Sequence, residues 1–144
     1  MPITPHDLKD FAERIAQSAD ETQLRAAISR GYYAAFHAVL PLAARLPESG
    51  KCLAGRRYVS HREMYERLVE WRTGAVHPML SRMIATKSVL ARAIDVSRFA
   101  REKADYRLED TIRYADAQSQ LERTALILRS MAQLDCELKR GDAA

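Results

Sequence analysis

The stretch ETQLRAAISRGYYAAFHAVLPLAARL, residues 21–46, decides the fold of this chain. Its apolar and small residues recur every three or four positions, which is the period of one face of an α-helix. They are Leu24, Ile28, Gly31, Ala35, Ala38 and Leu42. A long helix capped by Asp20 is therefore predicted over residues 20–46, with small residues that let another helix approach closely. Pro41 lacks a backbone donor and is expected to kink this helix or to end it early.

Further helix start signals lie on both sides of this stretch. Thr4 is a capping residue type, and Pro5 fits the first position of a helix predicted over residues 5–18. Ser60 followed by Glu63 matches a capping box, which begins a helix predicted over residues 61–72.

Two more helices complete the prediction. Gly74 and Pro78 bracket a break, and residues 79–103 form the fourth predicted helix. Asp110 or Thr111 caps a last helix that is predicted to run to about residue 139. The connections are short and no linker divides the chain. The sequence thus predicts an all-α fold, an antiparallel four- to five-helix up-and-down bundle in which residues 1–144 form a single domain.

Composition excludes several classes of protein. Hydrophobic residues make up 47% of the 144 residues and charged residues 29%, a balance that excludes a disordered chain. The longest apolar stretch, residues 38–44, is far shorter than the roughly 20 residues of a membrane span. Two cysteines, Cys52 and Cys136, are too few for a disulfide framework or a four-ligand zinc site. With no glycine-rich phosphate loop either, we expect a soluble cytoplasmic domain without metal, cofactor or membrane contact.

The positive charge is concentrated in the middle of the chain. Residues 24–82 carry ten Arg or Lys residues against four Glu residues, whereas the net charge of the whole chain is +4. A basic segment fits a partner that carries phosphates, because each phosphate contact releases counterions and adds affinity. It also fits an ordinary solvated surface, and charge alone does not separate the two interpretations.

Two pieces of sequence carry a family resemblance. Residues 25–37, RAAISRGYYAAFH, resemble the second helix of HEPN domains (the higher eukaryotes and prokaryotes nucleotide-binding superfamily), in the branch that reads Ser-Arg-x-Tyr-Tyr-Ala-x-Phe-His. Residues 101–106, REKADY, are similar to the Arg-x-x-Ala-Asp-Tyr element of that branch. Ser60 and His61 fall where the branch often has a Ser-His step.

The resemblance implies a helical bundle that pairs into a homodimer and binds RNA or a nucleotide. It also implies a nucleotidyltransferase-type antitoxin as a partner, since such domains are often encoded beside a minimal nucleotidyltransferase. Many relatives are metal-independent ribonucleases, including toxins and defence effectors, and others have lost catalysis. Both outcomes stay open for this chain.

Catalytic relatives use an Arg-x(4–6)-His motif. Histidine transfers protons near neutral pH, and arginine binds two phosphate oxygens at once. The sequence has three such spacings: Arg30 with His37, Arg56 with His61, and Arg72 with His77. The catalytic candidates are Arg30, His37, Arg72 and His77. A structural alternative for the first pair is a polar seam in which Arg30 pairs with Asp105.

The remaining candidates bind rather than react. They are Tyr33, Arg101, Asp105, Tyr106, Arg56 and Arg57. Arg101 and Tyr106 stand where the toxin branch has its arginine and histidine, and tyrosine is a poor general base at neutral pH. This departure favours a domain that keeps the binding surface without the nuclease.

Overall fold

The computed structural model describes residues 1–51, 58–74 and 76–143 of the 144-residue chain. Within these ranges it is all-helical and has no β-strand. The helices are α1 (Pro5–Ile15), α2 (Glu21–Arg45), α3 (His61–Glu70), α4 (Ile84–Tyr106) and α5 (Tyr114–Ala143), with a short 3-10 helix at Pro78–Arg82. The predicted all-α class is confirmed. Cys52, Arg56 and Arg57 lie outside the described residues, so of the Arg56–His61 pair only His61 is described.

The predicted start signals of the first three helices are confirmed. The Thr4 hydroxyl accepts a hydrogen bond from the Asp7 amide at 3.2 Å, and the Asp7 carboxylate accepts one from the Thr4 amide at 2.8 Å. The Asp20 carboxylate and the Ser60 hydroxyl each accept one backbone amide at the start of α2 and α3. The reciprocal half of the predicted Ser60–Glu63 capping box is not formed, because the Glu63 carboxylate binds Ser49 and Arg67. Side-chain caps satisfy backbone donors that have no partner within the helix, and this is why the starts could be predicted.

The helix ends lie one to four residues from their predicted positions. α2 does not end early at Pro41 but continues to Arg45, because Leu42 and Ala43 are buried in the core and their packing outweighs the lost backbone donor. α3 ends at Glu70, two residues before the predicted end, because Trp71 adopts a left-handed conformation with φ 45°. The indole of Trp71 is buried there and donates to the Leu80 carbonyl at 2.8 Å.

The last two helices start later than predicted. Residues 78–82 form the 3-10 helix, and α4 begins only at Ile84. α5 begins at Tyr114 and not at residue 110 or 111, because the Ile112 amide donates to the Glu21 carboxylate and keeps this segment against α2. The carboxylate of Asp116 then accepts from the Arg113 amide at 2.8 Å.

The contacts give the direction of the helices. Arg25 near the start of α2 donates to the Ala104 carbonyl near the end of α4, so these two helices are antiparallel. α3 departs from the predicted up-and-down order. His61 at its start contacts Tyr32, and Arg67 near its end donates to the Leu46 carbonyl, so α3 runs in the same direction as α2.

Two hydrophobic clusters fill the core, and buried polar residues separate them along the chain. One cluster contains Ile28, Ala104 and Leu121, and the other contains Tyr32, Ile94 and Ile127. Small or polar buried residues lie between these positions: Gly31 on α2, Ser97 and Arg101 on α4, and Thr124 on α5, with Gln120 one residue before Leu121. We call these five residues the polar layer. The polar layer is next to Tyr33, because Gly31 precedes Tyr33 by two residues on α2.

Candidate functional site

Three candidate residues of α2 line one groove. Arg30, Tyr33 and His37 form one wall of a cavity of about 390 Å³, and the opposite wall comes from Ile3, Thr4, Pro5 and Leu8. Positions three, four and seven residues apart lie on one face of a helix, so all three side chains line the same cavity opposite the N-terminal segment. Arg30 and His37 are exposed and Tyr33 is half-buried. The groove therefore holds an arginine and a histidine that a ligand can reach.

The alternative pairing of Arg30 with Asp105 is not formed. The Asp105 carboxylate accepts a hydrogen bond from the Ser29 hydroxyl at 3.2 Å and lies 3.8 Å from the Arg101 guanidinium. Ser29 and Arg30 are neighbours on a helix and point about 100° apart, since a turn takes 3.6 residues. Ser29 faces Asp105 on α4, whereas Arg30 points away from Asp105 and lines the groove.

Arg101 is surrounded by three aromatic rings, of which Tyr32 is buried, Tyr33 half-buried and Tyr106 exposed. It is 7% exposed, and its guanidinium carbon lies 5.4 Å from the Tyr32 ring, 5.9 Å from the Tyr33 ring and 5.5 Å from the Tyr106 ring. The side chain donates to the Tyr106 hydroxyl at 3.1 Å. Its Nε is buried and has no hydrogen-bond partner in the described part of the chain. Arg101 thus retains an unpartnered donor, and its one carboxylate contact, with Asp105, is long at 3.8 Å.

Arg98, one turn earlier on α4, also has a buried Nε without a partner among the described residues, but its carboxylate contacts differ from those of Arg101. Its guanidinium contacts the Asp95 carboxylate at 3.0 Å and the Glu102 carboxylate at 2.9 Å. The positive charge of Arg98 is therefore balanced by two carboxylates of the same helix. Of the two arginines on this face, Arg101 is the one that can attract an anion.

His61 joins the site from α3, and the sequence reasoning did not place it there. Its Nδ1 lies 2.6 Å from the Tyr32 hydroxyl, and its ring centre lies 5.9 Å from that of Tyr33 and 4.4 Å from that of Phe36. Burial lowers the pKa of His61, and the positive charges of Arg101 and His37 lower it further. Two signals in the sequence named His61, the Ser60–His61 step and the Arg56–His61 spacing, and neither predicted its contact with Tyr32.

Tyr33 lies between the groove and the aromatic rings around Arg101. Its ring centre lies 6.4 Å from His37 on the groove side and 5.9 Å from His61. We call Arg30, Tyr33, His37, His61 and Arg101 the Tyr33 site. It contains two arginines and two histidines around one aromatic ring, an arrangement that suits a phosphate and an adjoining base.

The second candidate pair has other partners. The Nδ1 of His77 accepts from the Met79 amide at 3.1 Å and caps the 3-10 helix, and its Nε2 lies 2.8 Å from the Asp142 carboxylate. Arg72 lies 3.2 Å from the Glu70 carboxylate. Both nitrogens of His77 therefore hold the end of α5 against the 3-10 helix.

Comparison with protein-family models, with curated proteins and with solved structures finds no match for this chain. No helix among the described residues combines the length and the apolar character that crossing a membrane requires. The fold and the site thus define an all-helical protein with a basic, histidine-bearing groove.

Proposed function

We propose that this chain is a HEPN-type RNA-binding protein that cleaves RNA without a metal ion, as a toxin-like component of a toxin–antitoxin or defence system in the cytoplasm. The observation that carries the proposal is the common groove of Arg30, Tyr33 and His37. An exposed arginine, an exposed histidine and an aromatic ring in one groove match the needs of a phosphate, a proton transfer and a base.

The chemistry follows from these groups. His37 takes the proton of a ribose 2′-hydroxyl, and the resulting oxygen attacks the neighbouring phosphorus. The bond from phosphorus to the 5′-oxygen breaks and leaves a 2′,3′-cyclic phosphate. Arg30 binds the phosphate oxygens on which negative charge develops. The leaving 5′-oxygen takes a proton from a histidine of a second copy, which a two-fold dimer brings to the same groove.

A second candidate function is a non-catalytic RNA- or nucleotide-binding module that acts with a nucleotidyltransferase-type partner. Arg101 supports it. In the place of the toxin branch's catalytic pair stands an arginine that is buried and bound to the Tyr106 hydroxyl. Such a group binds an anion without transferring protons.

Cleavage of labelled RNA by the purified chain, with a chelator present, separates the two functions. The nuclease gives a 2′,3′-cyclic phosphate product, and Arg30→Ala and His37→Ala each lower the rate at least about 100-fold, the lower range for a lost proton-transfer or charge-stabilising group. Arg72→Ala leaves the rate within about twofold, since Arg72 lies with Glu70.

Matched controls remove the same side-chain types elsewhere. Arg45 is exposed on the same helix and His6 is exposed on α1, and neither lines the groove. Arg45→Ala and His6→Ala are expected to cleave like the unmodified chain. Binding that needs Arg30, without any cleavage, selects the non-catalytic module. Cleavage that survives both groove substitutions contradicts the proposed site.

A further inference from the structure

The buried Tyr32 hydroxyl lies within hydrogen-bond distance of one ring nitrogen of His61. Tyr32 has no exposed surface, and its hydroxyl is 2.6 Å from His61 Nδ1. A buried hydroxyl must donate its hydrogen, and Nδ1 is the acceptor at hydrogen-bond distance. Burial raises the pKa of Tyr32 far above its ordinary value, so this hydroxyl keeps its hydrogen. An Nδ1 that accepts leaves the imidazole proton on Nε2.

The charges of Arg101 and Arg98 act on His61 against that of Glu102, and Arg101 has the largest effect of the three. The rings of Tyr32 and Tyr33 lie 5.3 and 5.9 Å from His61, and Arg101 lies over the same two rings. The nearest carboxylate to Arg101 is Asp105 at 3.8 Å, which Ser29 shares. The Nε of Arg101 is buried and has no hydrogen-bond partner among the described residues. A buried cation with an unpartnered donor is an arrangement that an anion completes.

We infer that Tyr32 is a positioning residue that holds His61 as the Nε2–H tautomer, and that this N–H donates to a phosphate group of the ligand. The identification of that phosphate with RNA rests on the proposed function. His61 then acts as a neutral donor that holds the phosphate, whereas His37 transfers the proton. No bond to His61 forms or breaks.

The tautomer is measured directly by nitrogen-15 NMR of the histidine side chains in the full chain. In the unmodified chain we expect His61 to show one tautomer with the proton on Nε2. Tyr32→Phe keeps the ring and removes the donor, so the signals become those of a tautomer mixture. Tyr114→Phe removes a hydroxyl from an exposed ring and leaves His61 unchanged. An Nδ1–H tautomer in the unmodified chain overturns the inference, as does an unchanged pattern in Tyr32→Phe.

The donor role is tested with inorganic phosphate and with a short 2′-O-methyl RNA, which cannot be cleaved. Phosphate is expected to shift the His61 Nε2 signal, and Tyr32→Phe weakens phosphate binding about fivefold, the value of one hydrogen bond. His61→Gln supplies an amide N–H near the same place and retains binding to within about threefold, while His61→Ala loses about tenfold. Thermal unfolding of each variant separates weak binding from loss of the fold.

Several outcomes distinguish this inference from the proposed function. If phosphate shifts His61 but the RNA neither binds nor is cleaved, the proposed function fails and the anion site stands. If the RNA is cleaved and phosphate leaves His61 unmoved, the inference fails and the function stands. A His61→Gln variant that binds as weakly as His61→Ala also overturns the donor role.

Discussion

Two buried arginines, Arg67 and Arg101, have opposite surroundings. Arg67 contacts the Glu63 carboxylate at 2.8 Å and donates to the carbonyls of Ala43 and Leu46 at 2.9 and 3.0 Å. Its hydrogen bonds join α3 to the end of α2, and its charge is paired. Arg101 has an unpartnered Nε and no carboxylate closer than 3.8 Å. Arg67 is thus part of the fold, while Arg101 retains the capacity to bind an anion.

Glu63 makes the stability of the fold depend on pH. Burial alone would raise its pKa, but hydrogen bonds from Arg67 and Ser49 outweigh burial and lower the pKa from 4.5 to about 2. The folded carboxylate is therefore the weaker binder of protons, and its contribution to stability is present above about pH 4.5 and lost as the pH falls toward 2. This contribution is on the order of 3 kcal/mol.

Urea unfolding at a series of pH values tests this prediction. We expect Glu63→Gln to lower the free energy of unfolding at pH 7 and to flatten its decrease between about pH 5 and 2, because the group that takes up the proton is gone. Glu122 is exposed on α5, so Glu122→Gln should leave the pH dependence unchanged. Equal curves for Glu63→Gln and the unmodified chain would contradict the assignment.

At the scale of the helices, the contact of α2 with α5 depends on Gly31. A Cβ at this position would lie 3.2 Å from the Thr124 hydroxyl and 3.4 Å from a Leu121 methyl group. Thr124 has no exposed surface, and its hydroxyl donates to the Gly31 carbonyl at 2.9 Å. Since Thr124 is held in place by this bond, it cannot move away from an added methyl group.

Gly31→Ala is therefore expected to destabilise the bundle by about 1–2 kcal/mol, although alanine is favoured over glycine in helices by about 1 kcal/mol. Gly74→Ala is the matched control, since a Cβ there meets nothing within 4 Å, and it should change stability by less than about 0.5 kcal/mol. Urea unfolding of both variants measures the difference. A Gly31→Ala variant at least as stable as the unmodified chain would show that α5 adjusts freely.

At the scale of the whole molecule, the polar layer and the Tyr33 site are one feature. Gly31, Arg101 and Thr124 are buried between the two hydrophobic clusters. Arg101 belongs to both the polar layer and the Tyr33 site. Its guanidinium lies over the Tyr33 ring, and Tyr33 lines the groove. Burying polar groups between apolar clusters costs stability unless they find partners. A bundle that keeps such a layer next to a basic groove is suited to hold a ligand there.

The dependence of RNA binding on salt measures how localised the positive charge is. If Arg30 contacts a phosphate, Arg30→Ala removes one phosphate contact, and fewer counterions are released when single-stranded RNA binds. The slope of log affinity against log salt concentration should then become smaller by about 0.7. Arg45→Ala, on the exposed part of the same helix, should leave the slope unchanged. Fluorescence anisotropy with 2′-O-methyl RNA at several salt concentrations gives both slopes. Equal reductions would mean that the charge acts as a diffuse surface.

Local patterns in the sequence sufficed for much of the fold and for one wall of the site. The caps at Thr4, Asp20 and Ser60 involve residues two or three positions apart, and helical spacing alone puts Arg30, Tyr33 and His37 on one face. These relations are fixed within a few turns of one helix, so no knowledge of the tertiary structure was needed to predict them.

Only the tertiary structure decided which residues from different helices meet. His61 reaches Tyr32 because α3 runs in the same direction as α2, and Asp105 contacts Ser29 and Arg101 where the sequence offered Arg30 as a partner. His77 is occupied by Asp142 at the far end of the chain. Spacing within a helix says nothing about such contacts, because they depend on helix direction, rotation and the return path of the connections, which the packing of the whole core fixes together.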